Sequence, residues 1–437
     1  MKIHFIGIGG IGISGLAQFM RFNNHEVSGS DISDTLITKK LRKMGIKITV
    51  PHTSQAITNQ DLVIHSAIIG PENPEIIAAK TKGIKVLARR EALPQILANK
   101  KVYSVAGAHG KSTTTAILTS IMCGSAIIGA ESKAFGSNVR YNKESDVLLF
   151  EADESDGSFV NSNPYCAIVI NAEPEHMEYY DYNIDRFYDT YRTFINSATC
   201  RVLNAEDPFL STLVNEVDAN WLYPSKDITN IKYILKGDEP HTKFTLKNMG
   251  TFEVWGFGKH IALDASLAII AASKTMEISQ IRENLLDFKG IKKRFDIVGT
   301  DKNKVIIDDY GHHPTEIKAT FESVKEYAHL KGLENITAIW QPHKYSRTID
   351  NLEEFIKCFK GAKELIILPV WAAGEATREI DFAEKFKEYN LTIADKIKRS
   401  NNKITVVKNK EDLKTIDDGI IIGFGAGDIT YQMRGLA

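Results

Sequence analysis

The sequence predicts an α/β protein of two or three domains built mainly on parallel sheets, and three observations carry that expectation. Short apolar runs rich in β-branched residues alternate with amphipathic helical patterns through most of the chain, the rhythm of strand–helix–strand units. Several runs are apolar without interruption, as strands buried on both faces should be. The 437 residues also exceed what one core usually serves, about 100–200 residues per domain. Composition excludes a wholly disordered or fibrous chain, with 43% hydrophobic and 25% charged residues. Lys plus Arg is 54 against 55 for Asp plus Glu, so there is no general basic footprint and no nucleic-acid partner is expected. No apolar run approaches the ~18 residues of a membrane helix, so no membrane partner is expected either.

In chain order, the strand candidates are Ile3–Ile6, Leu62–His65, Lys101–Val105, Val147–Phe150, Ala167–Ile170, Val305–Asp308, Thr337–Trp340, Leu365–Leu368 and Ile420–Gly423. The apolar start of the chain resembles a signal peptide in composition, but five glycines between Gly7 and Gly15 make a poor helical core for one. A polar connection from Leu93 to Lys101 and a basic, Gly-containing stretch from Phe288 to Lys293 each precede a fresh strand. They set expected domains of 1–99, 100–292 and 293–437. Residues from about 220 to 258 lack the α/β rhythm and read as antiparallel strands within the middle domain. Charge clusters such as Lys39–Lys43 read as a solvated helix face. Cys123, Cys166, Cys200 and Cys358 show no metal-ligand spacing and read as reduced, buried thiols of a cytoplasmic protein, with no function expected of them.

The first strand runs into Gly7-Ile8-Gly9-Gly10-Ile11-Gly12 and then a helix whose Ile13, Leu16, Ala17 and Met20 share one face. Glycines let the backbone turn tightly and approach a diphosphate, while the helix N-terminus offers N–H groups and partial positive charge. Asp31 follows Gly12 by 19 residues, about where a ribose-binding acid sits in dinucleotide-binding units. Ser66, after the strand Leu62–His65, is placed to meet a phosphate as well. The loop fits NAD, another nucleotide diphosphate, or a ligand-free tight turn.

The strand Lys101–Val105 leads into Gly107-Ala108-His109-Gly110-Lys111-Ser112-Thr113 and a second helix. Gly-Lys-Ser is the heart of a P-loop: N–H groups cradle phosphate, the lysine reaches the β and γ oxygens, and the hydroxyl ligates Mg²⁺. The loop is a variant, because Val105 stands where the first glycine of the full pattern belongs. Two phosphate cradles in separate α/β units point to ATP plus a second nucleotide-bearing substrate. Glu151, Asp153, Glu154 and Asp156 follow the strand Val147–Phe150, and His176 follows Ala167–Ile170. Groups at strand C-terminal ends face the ligand edge of an open parallel sheet. Glu154 and Asp156 fit solvated loop acids equally well.

The segments GIGGIGISGLA, GAHGKSTTT, EADESDGSF, NAEPEHMEYY, DDYGHHPTEI, QPHKYSRT and GAGDI, in that order, resemble the Mur ligases from residue 1 to about 430. The resemblance implies the three-domain Mur ligase architecture, with a Rossmann-like N-terminal domain, a P-loop central domain and a Rossmann-like C-terminal domain. It implies a cytoplasmic ligase in peptidoglycan precursor synthesis that uses ATP as co-substrate and Mg²⁺ as cofactor. Its partners are then UDP-N-acetylmuramate and L-alanine, joined at the lactyl carboxylate through an acyl phosphate. By the same resemblance Gly7, Gly9, Gly10, Ile11, Gly12, Asp31 and Ser66 hold the UDP-sugar. Gly107 to Thr113, Asp264, Arg294 and Asp309 hold ATP. Ser112, Glu151 and His176 hold metal, with Lys111, Glu151 and His176 catalytic. His343, Lys344 and Arg347 grip the amino-acid carboxylate.

Two departures from the family pattern stand out, at three positions. Ile261 and Asp264 replace a pair of asparagines near the adenine, and an aspartate accepts but cannot donate a hydrogen bond when ionised. Lys344 stands where an arginine is common, giving a point charge instead of a fork. Three rival readings stay open on the sequence alone: an NAD(P)-dependent oxidoreductase, a non-enzymatic ATP-driven switch, and a related ligase that adds a peptide.

Overall fold

The computed structural model describes residues 1–436, and the chain is a mixed α/β protein. Five strands open it: β1 (Lys2–Ile6), β2 (Glu26–Ser30), β3 (Lys47–Thr49), β4 (Leu62–His65) and β5 (Lys85–Ala88). They pair in the order β3-β2-β1-β4-β5, all parallel. The order reverses at β1, so the crevice at its C-terminal end is the switch point where ligands bind in such sheets. The first glycine loop lies there.

The second sheet contains β6 (Lys101–Ala106), β7 (Ser125–Ser132), β8 (Ser137–Arg140), β9 (Val147–Glu151), β10 (Cys166–Val169), β11 (Cys200–Asn204) and β12 (Asn220–Leu222). Its order is β12-β11-β10-β6-β9-β7-β8, with only β7–β8 antiparallel. β6 is therefore flanked by β9 and β10. Everything that follows those three strands in sequence emerges side by side at one sheet edge. Both sheets share one apolar core, with Ile3, Phe5, Leu16, Val102, Leu148, Val169 and Phe187 fully or nearly fully buried.

Strands β13 (Ile228–Lys236), β14 (Glu239–Leu246) and β15 (Gly250–Trp255) form a separate three-stranded sheet. The third large sheet holds β16 (Asp296–Asp301), β17 (Lys304–Asp309), β18 (Ile336–Trp340), β19 (Glu364–Ile367), β20 (Leu391–Ile393) and, near the end of the chain, Gly419–Phe424. The order is β16-β17-(Gly419–Phe424)-β18-β19-β20, parallel except for the edge pair β16–β17. Its central strands are buried along their whole length, which is why each carries an uninterrupted apolar stretch such as Val305–Ile307, Ala338–Trp340 or Ile420–Ile422. Strands Lys396–Ser400, Lys403–Lys408 and Glu411–Ile416 make a small antiparallel sheet between β20 and the last strand.

The chain divides into two compact units: residues 1–229, 245–250 and 263–289, and residues 230–244, 251–262 and 290–437. The main run of the second unit starts two residues from the boundary expected at 292. The stretch around 230–262, read from the sequence as part of the middle domain, lies largely with the second unit. There Tyr233 and Leu235 pack against the apolar cluster of Phe257, Phe295 and Tyr327.

Candidate active site

Gly110 adopts φ +85°, in the left-handed region that favours glycine, and caps the helix Lys111–Ile121. The turn swings the chain from β6 into that helix with its first N–H groups aimed at the sheet edge. Lys111 Nζ donates to the carbonyls of Gly107 at 2.6 Å and Ala108 at 2.9 Å, and pairs with Glu154 Oε2 at 2.9 Å. Burial works against the ammonium, but Glu154, Asp153 and Glu151 outweigh it and hold Lys111 above the ordinary lysine range. One helical position on, Ser112 Oγ donates to Glu151 Oε1 at 2.9 Å. The second carboxylate oxygen of Glu151 accepts from Gly129 N–H at 2.6 Å. His109 N–H donates to Asn171 Oδ1 at 3.1 Å, and its Nε2 lies 3.1 Å from Glu173 Oε2. Asp264 is buried and comes so close to Gly110 that a Cβ there would meet its Oδ1 at 2.7 Å.

Behind the loop, Glu154 is not a solvated acid: it is 1% exposed. Burial pushes its carboxyl up to about 7 despite the pull of Lys111. Burial likewise raises Glu151, opposed by Lys111 and the Gly129 N–H. Asp153 goes the other way, because Arg89, Lys111 and hydrogen bonds from Ser155 outweigh its burial. His176, Glu154 and Glu175 converge, with ligand atoms all within 4.8 Å of one another. Tyr180 Oη donates to the Glu154 carbonyl at 2.5 Å and pins that segment.

At the first loop, Asp31 Oδ2 accepts from Gly9 N–H at 2.7 Å. A Cβ on Gly9 would fall 2.7 Å from the same oxygen, so the loop and the acid fit only with glycine there. Gly7 turns at φ +78° against Ser66. Gly10 caps the helix Ile11–Phe22. Ile11, Ile32 and Ile68 follow the C-terminal ends of β1, β2 and β4 and are 42%, 73% and 89% exposed, apolar side chains turned outward around this mouth. Arg89 was not singled out in the sequence, since it merely opens an ordinary helix. Its guanidinium lies 3.5 Å from where a Cβ on Gly12 would be. It also lies 3.5 Å from Asp156, 3.7 Å from Asp153 and 3.3 Å from Ser158 Oγ. It therefore ties the first glycine loop to the acids behind the second.

In the second unit, Asp309 ends β17. It accepts from Phe295 N–H at 2.7 Å and Gly311 N–H at 2.8 Å. Burial pushes its carboxyl up to about 6, against Arg294 and these donors. Arg294 donates to Glu316 Oε1 at 2.9 Å and lies over the Tyr310 ring at 5.6 Å. His312 and His343 meet edge to face at 5.6 Å. Arg347 donates to His343 Nδ1 at 3.3 Å. Burial and the cations Arg347 and Lys344, with His312, push His343 down to about 4, so its ring is neutral and accepts. Lys344 carries φ +67°, which side chains other than glycine rarely adopt, and starts the helix Tyr345–Asp350.

The structure thus gathers Gly107 to Thr113, Glu151 and Asp264 around one cradle, with His176 in a neighbouring cluster of acids. Gly7 to Gly12, Asp31 and Ser66 share a second cradle, while Arg294, Asp309, His343, Lys344 and Arg347 line the second unit's sheet edge. Sequence reasoning passed over Arg89, Gly129, Asn171, Glu173, Glu175 and Glu316 as participants. Glu173, Glu175 and Asn171 lie inside a motif quoted from the sequence, whereas Arg89 and Gly129 carry no local signal.

Fold and site together define an α/β nucleotide-binding protein with two phosphate cradles and a basic sheet edge. Comparison with known proteins sharpens this. The description "Mur ligase family, catalytic domain" matches residues 2–101, and "Mur ligase, glutamate ligase domain" matches residues 293–421. The chain is 55% identical to UDP-N-acetylmuramate–L-alanine ligase of Campylobacter curvus, over 99% of both chains. It is 53% identical to the ligase of the same name from a Helicobacter pylori strain, over 99% of this chain and 96% of that one. A crystal structure of UDP-N-acetylmuramate-alanine ligase from Thermotoga maritima superposes with a TM-score of 0.81 at 27% identity, covering 100% of this chain and 98% of that one. The chain belongs to the Mur ligase family. A murein peptide ligase from Psychrobacter arcticus shares the fold, with a TM-score of 0.66 at 19% identity over 100% of this chain and 98% of that one.

Proposed function

We propose that this chain is an ATP-dependent ligase that joins L-alanine to the lactyl carboxylate of UDP-N-acetylmuramate. The observation that carries the reading is the pair of glycine cradles at the ligand edges of two parallel sheets, the second holding Lys111 against Glu154 at 2.9 Å. The names of relatives at 52–55% identity favour alanine over a peptide as the incoming group. Residues 1–99 serve the UDP-sugar, 100–292 apart from most of 230–262 serve ATP, and 293–437 serve the amino acid. No helix among the described residues is long and apolar enough to cross a membrane; the use of ATP and a UDP-sugar as substrates supports a reaction in the cytoplasm.

The donor set fits a hard divalent cation. Ser112 Oγ and Glu151 Oε1 are oxygen donors 2.9 Å apart, and Glu154, Glu175 and His176 offer two carboxylates and an imidazole within 4.8 Å. These residues would hold Mg²⁺, which when bound neutralises triphosphate charge. The N–H groups from Gly107 to Thr113 cradle the triphosphate. Lys111 exchanges Glu154 for the terminal phosphoryl oxygens. Asp264, packed against Gly110, accepts a hydrogen bond from the nucleotide. Arg294, anchored by Glu316, supplies positive charge to ATP, and Asp309 contacts the nucleotide from the same edge. The first cradle binds the UDP diphosphate against Gly9, Gly10 and the helix start at Ile11, with Asp31 and Ser66 fixing the loop.

A carboxylate oxygen of the lactyl group attacks the γ-phosphorus and ADP departs, leaving an acyl phosphate. The alanine nitrogen attacks the acyl carbon, and phosphate leaves with the activated oxygen. Stabilising charge at the phosphoryl group is the largest service the chain provides. Lys344 and Arg347 grip the alanine carboxylate, and the neutral His343 accepts from Arg347 and orients its guanidinium. The test is mass spectrometry of the product formed from UDP-N-acetylmuramate, ATP, mixed amino acids and a stem tripeptide. The expected product carries one alanine; a product carrying the tripeptide, or none, overturns the reading.

A further inference from the structure

The ligase chemistry uses no cysteine, yet two of them touch. Cys166 opens β10 and Cys200 opens β11, and the two are register partners in adjacent parallel strands. Neighbouring strands run about 4.8 Å apart, inside the roughly 4.4–6.8 Å between Cα atoms that disulfides span. The two Sγ atoms are 3.1 Å apart, with the Cys166 thiol donating to Cys200. Cys166 is buried and Cys200 is half-buried, so solvent reaches the pair from the Cys200 side. The hydrogen bond from Cys166, then Lys274, Lys101 and Arg201, outweighs burial and brings the Cys200 thiol down to about 7. Cys358 contrasts with it: buried and pushed up to about 12, it stays a thiol. Both sulfurs lie at the strand starts, the opposite end of the sheet from the P-loop that follows β6.

We propose that Cys200 and Cys166 form a peroxide-oxidisable dithiol, in which a hydroperoxide oxidises Cys200 and Cys166 resolves it to an intramolecular disulfide. The Cys200 thiolate attacks the distal peroxide oxygen; the O–O bond breaks, and the other oxygen leaves with a proton as water or an alcohol. Cys200 is then a sulfenic acid. The Cys166 sulfur gives up its proton and attacks the Cys200 sulfur, the S–O bond breaks, and water leaves as the S–S bond forms. Two thiols are oxidised and one hydroperoxide is reduced. A resolving thiol in contact stops oxidation at the stage that thiols reverse.

The full-length protein is treated with hydrogen peroxide at pH 7, alkylated, digested and mapped by mass spectrometry. The expected result is a cross-linked pair of peptides bearing Cys166 and Cys200, two hydrogens lighter and restored by dithiothreitol. In Cys166→Ser, Cys200 is expected to gain two oxygens as sulfinic acid that dithiothreitol does not remove. If that variant does not fold, the wild-type map alone decides. The proposal is overturned if the wild-type protein shows sulfinylated Cys200 beside a free Cys166. It is equally overturned if both thiols stay intact at a peroxide dose that oxidises the exposed Cys123.

Discussion

Replacing Lys111 with alanine removes a cation that touches three groups: Glu154 at 2.9 Å and the carbonyls of Gly107 and Ala108 at 2.6 and 2.9 Å. Two consequences separate cleanly. In the resting protein, Glu154 loses its counter-charge. Its carboxyl already stands at about 7 with Lys111 present, so without the lysine it takes a proton at neutral pH instead of remaining an unpaired buried charge. The fold therefore survives, and thermal unfolding is expected to shift by only a few degrees. In the transition state, a pre-placed donor facing the transferring phosphoryl group is lost. Such groups contribute about 3–4 kcal/mol, so kcat should fall by roughly 10²–10³. The assay is phosphate release with UDP-N-acetylmuramate, L-alanine and ATP all saturating, beside a melting curve of the same preparation. Turnover within about threefold of the parent, with an unchanged melting curve, would refute the placement of Lys111 on the triphosphate.

Gly129→Ala puts a Cβ against Glu151 Oε1, which must swing away; a Mg²⁺ titration should show a higher metal requirement and about tenfold lower kcat, and an unchanged titration would count against Glu151 as a metal ligand. Gly9→Ala crowds Asp31 Oδ2 at 2.7 Å; KM for UDP-N-acetylmuramate should rise about tenfold with KM for ATP unchanged, and the reverse pattern would exchange the roles of the two cradles. Lys344→Arg supplies the bidentate fork a carboxylate prefers, so the apparent KM for alanine should fall; no change would remove Lys344 from that site. Burial, then Arg294, holds His260 down at about 4, below the 6.5 of an unfolded histidine. The unfolded chain therefore binds the extra proton first, and this contribution to stability is full above about pH 6.5 and lost as pH falls towards 4. Glu154 and Asp309, both raised by burial, act in the opposite sense over neighbouring windows. The difference between wild type and His260→Gln in denaturant titrations at pH 4.5 and 7 isolates the term: the wild type should lose more stability on acidification than the variant.

Much of this site was legible because its parts are local. A strand, a glycine turn and a helix start lie within a dozen residues, so Gly7–Gly12 and Gly107–Thr113 announce themselves in the sequence. Central strands such as β17 and β18 were equally plain, because burial on both faces makes their middles, Val305–Ile307 and Ala338–Trp340, continuously apolar. β2, Glu-Val-Ser-Gly-Ser, was missed because Val27 is its only large apolar residue; it is held by pairing with β1 and β3, which no local pattern records. The placement of 230–262 failed for a similar reason. Tyr233 and Leu235 are ordinary strand residues until Phe257 and Tyr327 are seen beneath them. Glu154 stayed open between a site acid and a solvated loop acid because its burial depends on Lys111 and Tyr180, distant in sequence. Arg89 depends on the same kind of convergence, joining Gly12 to Asp153 and Asp156 across 77 and 64–67 positions of chain.

Arg89 also marks where the two cradles meet within one unit, and the chemistry between them is what the account stands on: an acid on one nucleotide carrier receives the terminal phosphoryl group of another. Positional isotope transfer reads that event directly. With both oxygens of the lactyl carboxylate labelled with ¹⁸O, the phosphate released during turnover with ATP and L-alanine should carry one heavy oxygen, and the amide product should keep the other. Phosphate released without heavy oxygen while the amide forms would contradict carboxyl activation by ATP.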